Sequence, residues 1–390
     1  MTYGLRLIFR AALILLAIAV PVGFAKASTA IMLSDKELIL SSRLIVTAEV
    51  RSVVSAWDDA HAMIWTYVEL RKGQQLKGQL NADRIVLKQP GGIVDDSAIL
   101  VFGQPEFFPG QQLVLYLNTG ADGSLHVAHS FMGMFSVIED QTTGQMLAVR
   151  STAQADAHII PRRDNEPITD REPFEQHLQR IEQTLLSEAT AIGDQERMLR
   201  RQPIAAVPPE YDRVVASAGD YRLNFVLSAG GIKWIEADSG QPIIYHLNPT
   251  FCPVAGGGVA EITRAMDAWS AQSGAKIRLQ LGDTTGKCGT NWDGSNTISF
   301  GDCQHQLDPP VGCAGVMAAT AIQYVVDSRK APGTFDRILE AEIIFNDGVD
   351  CFLRTSSNLA EVACHELGHS IGLAHSNDPQ AIMWAVARGN

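Results

Sequence analysis

No cysteine occurs before Cys252 in this chain of 390 residues, although six occur from that point on. That absence excludes a disulfide-stapled N-terminal half. It also excludes a thiolate from that half as a metal ligand. Positive charge is short as well: 31 lysines and arginines stand against 43 aspartates and glutamates, for a net charge of −12. A protein that grips a phosphate backbone wants a basic face, so nucleic acid is not an expected partner. The acidic balance otherwise points only to solubility. Beyond the N-terminus no apolar run is long enough to cross a bilayer. With 46% hydrophobic and 19% charged residues the remainder reads as globular, and its length suffices for two domains and a linker.

The one long apolar run reads as a secretory leader over residues 1–27. Arg6 and Arg10 supply the charged start and Ala11 to Val20 the apolar stretch. Ala25-Lys26-Ala27 supplies a small-x-small cleavage site before Ser28. An uncleaved anchor is the rival reading, but the run is short for a span. The expected product is secreted, extracellular or periplasmic, with no stable membrane insertion once the leader is gone, and a monomer is expected. In an exported chain six cysteines suggest disulfides, and Cys351–Cys364, Cys303–Cys313 and Cys252–Cys288 are the pairings expected. A buried free thiol is the alternative for any one of them.

Histidine is scarce, ten in the whole chain, yet three fall within eleven residues: His365-Glu366-Leu367-Gly368-His369-Ser370-Ile371-Gly372-Leu373-Ala374-His375. Two histidines four apart share a helix face, so their rings can converge on one ion. Glu366 is rotated toward the side of that face, within reach of a metal-bound water without being a ligand. Gly372 can leave helical geometry at little steric cost, which lets the chain turn back and bring His375 to the same ion. Three imidazoles with one open position make a catalytic zinc site rather than a structural one. Cys364 is turned about 100° away from His365 and is a poor ligand candidate.

These eleven residues resemble the zinc-binding signature of the metzincin metallopeptidases. Ser376 after the third histidine is similar to what matrixins, the matrix-metalloproteinase family, carry there. Ala381-Ile382-Met383-Trp384 looks like their Met-turn. The resemblance implies that His365, His369 and His375 are the ligands of one catalytic Zn2+. It also implies Glu366 as the catalytic general base and Met383 as the methionine beneath the metal. Trp384 stands where a tyrosine often does and receives no proton-donor role. Matrixins are commonly made as inactive precursors, held by a cysteine of the pro-segment on the metal. The lack of such a cysteine here puts that device out of reach, which leaves two readings of the first half, as a steric block on the cleft or as a segment that positions substrate.

The expected fold class is α+β. A small antiparallel β-barrel domain over 28–150 is followed by a linker with an amphipathic helix over 151–220. A metzincin-like catalytic domain over 221–390, with a mixed five-stranded sheet and two main helices, completes it. The barrel rests on strand-like segments at 44–55, 63–70, 84–89, 98–102, 112–118, 125–128 and 134–138, with turn signals such as Pro90-Gly91-Gly92 and Pro109-Gly110 between them. Ser34-x-x-Glu37 looks like a capping box ahead of them. His61, His126 and His129 lack ligand spacing, and no catalytic constellation is visible there. In the linker, 172–201 reads as helical, with Phe174, Leu178, Ile181 and Leu185 on one stripe.

In the second half, 241–247 reads as a strand and 259–272 as a helix with Ile262, Met266 and Trp269 on one stripe. Strands are expected at 276–281, 296–300, 315–325 and 341–345. Asn358 is expected to cap the zinc helix, and Ala360, Ala363, Leu367 and Ile371 to bury against the sheet. This order is similar to the matrixin catalytic domain over about 221–385. In that family the fourth strand is the sheet edge beside the cleft. Carried over, residues 316–323 would pair with an extended protein or peptide substrate, with Val316, Ala318, Ala319 and Ala321 as substrate-binding positions.

Two departures are visible. Only His305 lies where matrixins gather histidines for a structural zinc. The sequence also runs only seven residues past Met383, where matrixins continue into a closing helix and a wall of the specificity pocket, so the resemblance does not define the pocket's shape. Asp302, Asp308, Asp347 and Asp350 could support Ca2+. The reading is a secreted zinc-dependent endopeptidase that uses zinc-activated water with Glu366 as base. The alternatives are a secreted binding protein on a degenerate metallopeptidase fold, and metal-dependent hydrolysis of a non-peptide bond.

Overall fold

The computed structural model describes residues 28–150, 158–162, 164–188, 204–217, 231–327, 334–376, 378 and 380–384. The expected leader lies outside the described residues, as does the expected linker helix from residue 189 on. The strands of the first half are β1 (Ser28–Ile31), β2 (Leu44–Trp57), β3 (Ile64–Lys77), β4 (Arg84–Pro90), β5 (Gly92–Val94), β6 (Ser97–Val101), β7 (Gln112–Thr119), β8 (Leu125–Val127), β9 (Met134–Glu139) and β10 (Met146–Arg150). They are followed by β11 (His158–Ile160), β12 (Arg171–Pro173), β13 (Ile232–Lys233), β14 (Ile243–Asn248), β15 (Leu279–Leu281), β16 (Asn296–Phe300), β17 (Gly315–Val325) and β18 (Asp336–Phe345). The helices are α1 (Asp35–Ser41), α2 (Phe174–Ser187), α3 (Tyr211–Ser217), α4 (Val259–Ser270), α5 (Asp350–Leu353) and α6 (Ser356–Ser370).

Apolar residues at every second position share one face of a strand. Leu44, Val46, Ala48 and Val50 of β2 obey that spacing. They bury with Val68 and Leu70, Ile85 and Leu87, Leu113, Leu115 and Leu117, and Leu125 and Val127. The strands that carry them pair in a closed circuit, β2-β3-β4-β8-β7 and back to β2, with the β4–β8 pair parallel. β9, β10 and β12 continue outward from β7. The segment 98–102, expected among these strands, goes elsewhere. β6 carries a continuous apolar run, Ala98 to Leu100 buried on both faces, which suits a strand between layers rather than a ring open to solvent on one side.

β6 belongs to the second sheet. There β17, β18, β16, β14 and β15 lie side by side, β17 antiparallel to β18 and the rest parallel, which gives the mixed five-stranded arrangement of an α+β fold. This sheet does not end at β17. β1 pairs antiparallel with its residues 315–319 and β6 with 321–325, while β11 flanks β1 and β5 flanks β6. Ala30, Leu33 and Phe102 from the first half therefore share one core with Ile298, Phe300, Ile343, Leu359 and Leu367.

α4 and α6 cover the sheet. Ile262, Ala265 and Met266 are buried between them, and the Trp269 indole N–H donates to the Cys364 carbonyl at 2.7 Å. α6 begins before the expected cap. Thr355 precedes it, and Asn358 lies inside the helix, where its amide donates to the Phe352 carbonyl at 2.8 Å. Leu359 and Val362 join Ala363 and Leu367 on the buried side, with Ala360 only half-buried. The capping box at Ser34 and Glu37 forms in both directions, at 3.2 and 2.7 Å.

The disulfides differ from the pairing expected. Cys288 joins Cys303 and Cys313 joins Cys351, while Cys252 and Cys364 are free thiols. The reason lies in α6: Cys364 faces α4, with its thiol 3.9 Å from the Ala265 carbonyl, and it is buried away from Cys351.

α2 docks on the shared core through Leu178 and Ile181, with Phe174 and Leu185 beside it. Beneath it lies a polar knot. The Glu172 carboxylate accepts from Arg180 and meets His177 at 2.7 Å, and the Tyr116 hydroxyl lies 3.2 Å from the other nitrogen of that ring. Burial pushes the Glu172 carboxyl up, but the His177 and Arg180 hydrogen bonds and charges outweigh it and bring the pKa from 4.5 to about 2. A depressed carboxylate stabilises the fold above its unfolded pKa, and that contribution is lost as pH falls toward the folded value. Thermal melts of the wild type should therefore weaken between about pH 4.5 and 2. Glu172→Gln should be less stable at neutral pH and should lose less on acidification through that window. Parallel melting curves for the two proteins would contradict this.

Candidate metal centre

The site grows from the end of α6. Gly372 stands at φ +91°, where a β-carbon would run into the Ile232 carbonyl. Its N–H donates to the His369 carbonyl at 2.8 Å and the Leu373 N–H to the Gly368 carbonyl at 3.0 Å, which is a Schellman closure. The helix thus stops after Ser370 and the chain returns toward its own last turn. Ser370 is pinned from two sides, by the Tyr245 hydroxyl at 2.7 Å on its side chain and the Trp234 indole at 2.9 Å on its carbonyl. Gly372→Ala should cost about 2 kcal/mol or more, because neither the left-handed backbone nor the Ile232 contact tolerates a side chain. It should also loosen the return of His375. A lowered melting temperature together with at least about tenfold weaker zinc retention in a chelator competition is expected. Unchanged retention would separate the turn from the site.

The return brings three rings together. The Nε2 atoms of His369 and His375 each lie 2.8 Å from the Nε2 of His365, and the three donor atoms lie within 4.8 Å of one another. The tautomers of two rings follow from their partners. His365 Nδ1 meets the Ile382 carbonyl and His369 Nδ1 the Leu373 carbonyl, both at 2.9 Å. A carbonyl only accepts, so Nδ1 carries the hydrogen and a neutral ring leaves Nε2 bare. Burial, followed by the charge of the neighbouring imidazoles, holds both rings well below the ordinary histidine pKa, which keeps them neutral. Two bare lone pairs at 2.8 Å repel unless a cation lies between them. The donor set therefore suits a metal with a preference for imidazole nitrogen.

Met383 packs beneath the last turns of α6. It is 4% exposed, and a β-carbon on Gly368 would strike its sulfur and the Trp269 ring. The Ser376 N–H donates to the Met383 carbonyl at 2.7 Å, tying the strand after His375 to the turn that carries the methionine.

Glu366 is fully buried beside the triad. Its Oε2 accepts from the Thr320 hydroxyl at 2.7 Å. Its Oε1 accepts from the Thr29 hydroxyl at 2.6 Å and from the Thr29 N–H at 3.0 Å. Burial pushes this carboxyl up to about 7, and the threonine hydrogen bonds pull against it.

The substrate-edge positions are all covered by the chain itself. Val316 pairs with Ala30, Ala318 with Thr29, Ala319 with Ser28 and Ala321 with Val101. Four residues that sequence reasoning did not connect with the site touch it. Thr320 and Thr29 hold Glu366, Phe102 stacks on His369 with ring centroids 4.8 Å apart, and His158 stacks on His365 at 3.9 Å. Thr320 could have been found, since it sits in the expected edge strand opposite the helix. Thr29, Phe102 and His158 carry no local signal.

The aspartates considered for calcium do not gather. Among the described residues the three histidines are the only group of three or more metal-ligating side chains. Asp308 is instead engaged with His126 at 3.2 Å, the Asn118 amide at 3.1 Å and the His129 N–H at 2.5 Å, and Asp302 accepts from the Leu307 N–H at 2.6 Å. His305 finds no second histidine for a structural zinc within that group. Among the described residues no helix is long and apolar enough to cross a membrane.

No curated protein matches the chain. Residues 257–389 match the model of the matrixin family, peptidase family M10. That segment holds α4, β17, the three histidines and Met383, and the family depends on zinc. Residues 257–389 therefore resemble a matrixin metallopeptidase catalytic domain.

Proposed function

We propose that the chain is a secreted zinc endopeptidase that hydrolyses peptide bonds in protein or peptide substrates. In this reading 1–27 is a leader, 28–150 a small barrel built on the β2-β3-β4-β8-β7 circuit, 151–220 a linker, and 221–390 the catalytic domain. The observation that carries it is the convergence of three imidazole Nε2 atoms beside a buried carboxylate.

His365, His369 and His375 would hold the zinc, and carbonyl partners orient the His365 and His369 rings for it. When bound, zinc supplies a polarising charge and makes water acidic enough to ionise near neutral pH. Glu366 would accept the proton of the attacking water and deliver it to the leaving amine. The Thr320 hydroxyl, on Oε2, would orient the carboxylate for that role. The substrate backbone would add to the outer edge of β17 along Val316, Ala318, Ala319 and Ala321, held by main-chain hydrogen bonds that do not depend on sequence. Met383 would support the ligands from below without touching substrate.

The test is cleavage of a protein substrate with and without chelator, with products weighed. Fragment pairs that sum to the parent mass plus one water, lost with chelator and restored by zinc, are expected. Intact substrate after prolonged incubation with zinc-replete protein would reject the reading.

A further inference from the structure

We propose that the chain closes its own peptidase site: the strand Ser28–Ile31 occupies the substrate edge of β17, and Thr29 caps Glu366. The inference rests on reading the site as a peptidase, and it names how that site is regulated.

The argument begins with the edge. A β-strand at a sheet margin presents unpaired N–H and C=O groups that accept a further strand. On β17 that margin is taken along its whole length. β1 pairs antiparallel with 315–319, the Phe102 N–H donates to the Thr320 carbonyl at 2.9 Å, and β6 pairs antiparallel with 321–325. An extended substrate needs the same groups, so strand and substrate exclude each other. β11 pairs with the far side of β1 and holds it in place.

The second observation is chemical. In the closed arrangement both oxygens of Glu366 are engaged: Oε2 by Thr320 of the catalytic sheet, and Oε1 by the hydroxyl and N–H of Thr29. A general base needs an open carboxylate oxygen. Release of β1 would free Oε1 and leave Thr320 on Oε2. The third observation is burial. Phe102 lies over the His369 ring and His158 over the His365 ring, and His365, Glu366 and His369 have no exposed surface. Three residues from three separate segments of the first half therefore seal one site. The device needs no cysteine because it captures the base and the edge rather than the metal.

The test uses the zinc-loaded full chain and a short peptide hydroxamate as a strand-shaped, metal-directed probe. In hydrogen exchange, residues 28–31 and 315–319 should both be protected without probe. Saturating probe should deprotect 28–31 and leave 315–319 protected. The rate of probe binding should level off at high concentration, because strand release must come first. Thr29→Val keeps the shape and removes one hydrogen bond to the carboxylate. It should raise that plateau and the rate of peptide hydrolysis by about tenfold. Probe binding with 28–31 still protected would overturn the inference. So would a binding rate that rises linearly and equally in both proteins. If the protein holds no zinc, the peptidase reading fails, whereas exchange at 315–319 still decides this one: free exchange there refutes it. Should Thr29→Val fold poorly, the wild-type exchange result stands alone.

Discussion

Glu366→Ala is expected to leave about one zinc per chain and to lower peptide hydrolysis by at least about a thousand-fold. The carboxylate is not among the three converging donors, so its loss should leave the ligand set intact. What disappears is a buried carboxylate aligned by a neighbouring hydroxyl. Glu366→Gln keeps the shape and the Thr320 contact but cannot accept a proton, and it should be equally inactive. Each variant is best compared with its parent in both the wild-type and the Thr29→Val background, so that strand release and proton transfer are measured separately. Hydrolysis within tenfold of the parent, with zinc content unchanged, would remove Glu366 from the role of base.

Removal of zinc is the second large effect. Without a cation, the Nε2 atoms 2.8 Å apart carry opposed lone pairs, and the return of the chain at Gly372 loses what it converges on. A ligand that binds only the folded state stabilises it by about 4 kcal/mol at a thousand-fold excess over its Kd. Chelation should therefore abolish turnover and lower the melting temperature by on the order of 10 °C, with both restored by stoichiometric zinc. The loss should concentrate near residues 365–384, where His365 and His369 also lean on the returning chain. A chelated protein that melts at the same temperature would show that the triad needs no ion. Acidification should act in the same direction. Only a neutral imidazole can donate to a metal, so zinc affinity should fall as the pH is lowered.

Much of the site could be read from eleven letters because its geometry is local. Four residues separate two ligands on one helix, and a single glycine turns the chain to present the third. The same holds for β16 and β17, whose ends fall where strand pattern and turn residues place them. The segment Ala98 to Val101 is the instructive failure. Its apolar run announces a strand but not a neighbour, and the neighbour is β17, more than two hundred positions away. Thr29 is equally silent in sequence. A small polar residue in a short strand acquires meaning only when the fold places it 2.6 Å from Glu366, 337 positions along the chain. The cysteines failed for a related reason. Pairing by proximity in sequence favoured Cys351 with Cys364, but helix direction turns Cys364 toward α4 and leaves Cys351 to Cys313.

The most direct measurement is diffraction from crystals of the zinc-loaded protein at the zinc absorption edge. The account predicts one anomalous peak about 2.0–2.1 Å from the Nε2 atoms of His365, His369 and His375, with Glu366 beside it and not bound to it. No peak at that point, a peak held by other residues, or a His375 ring turned away from the other two would contradict it.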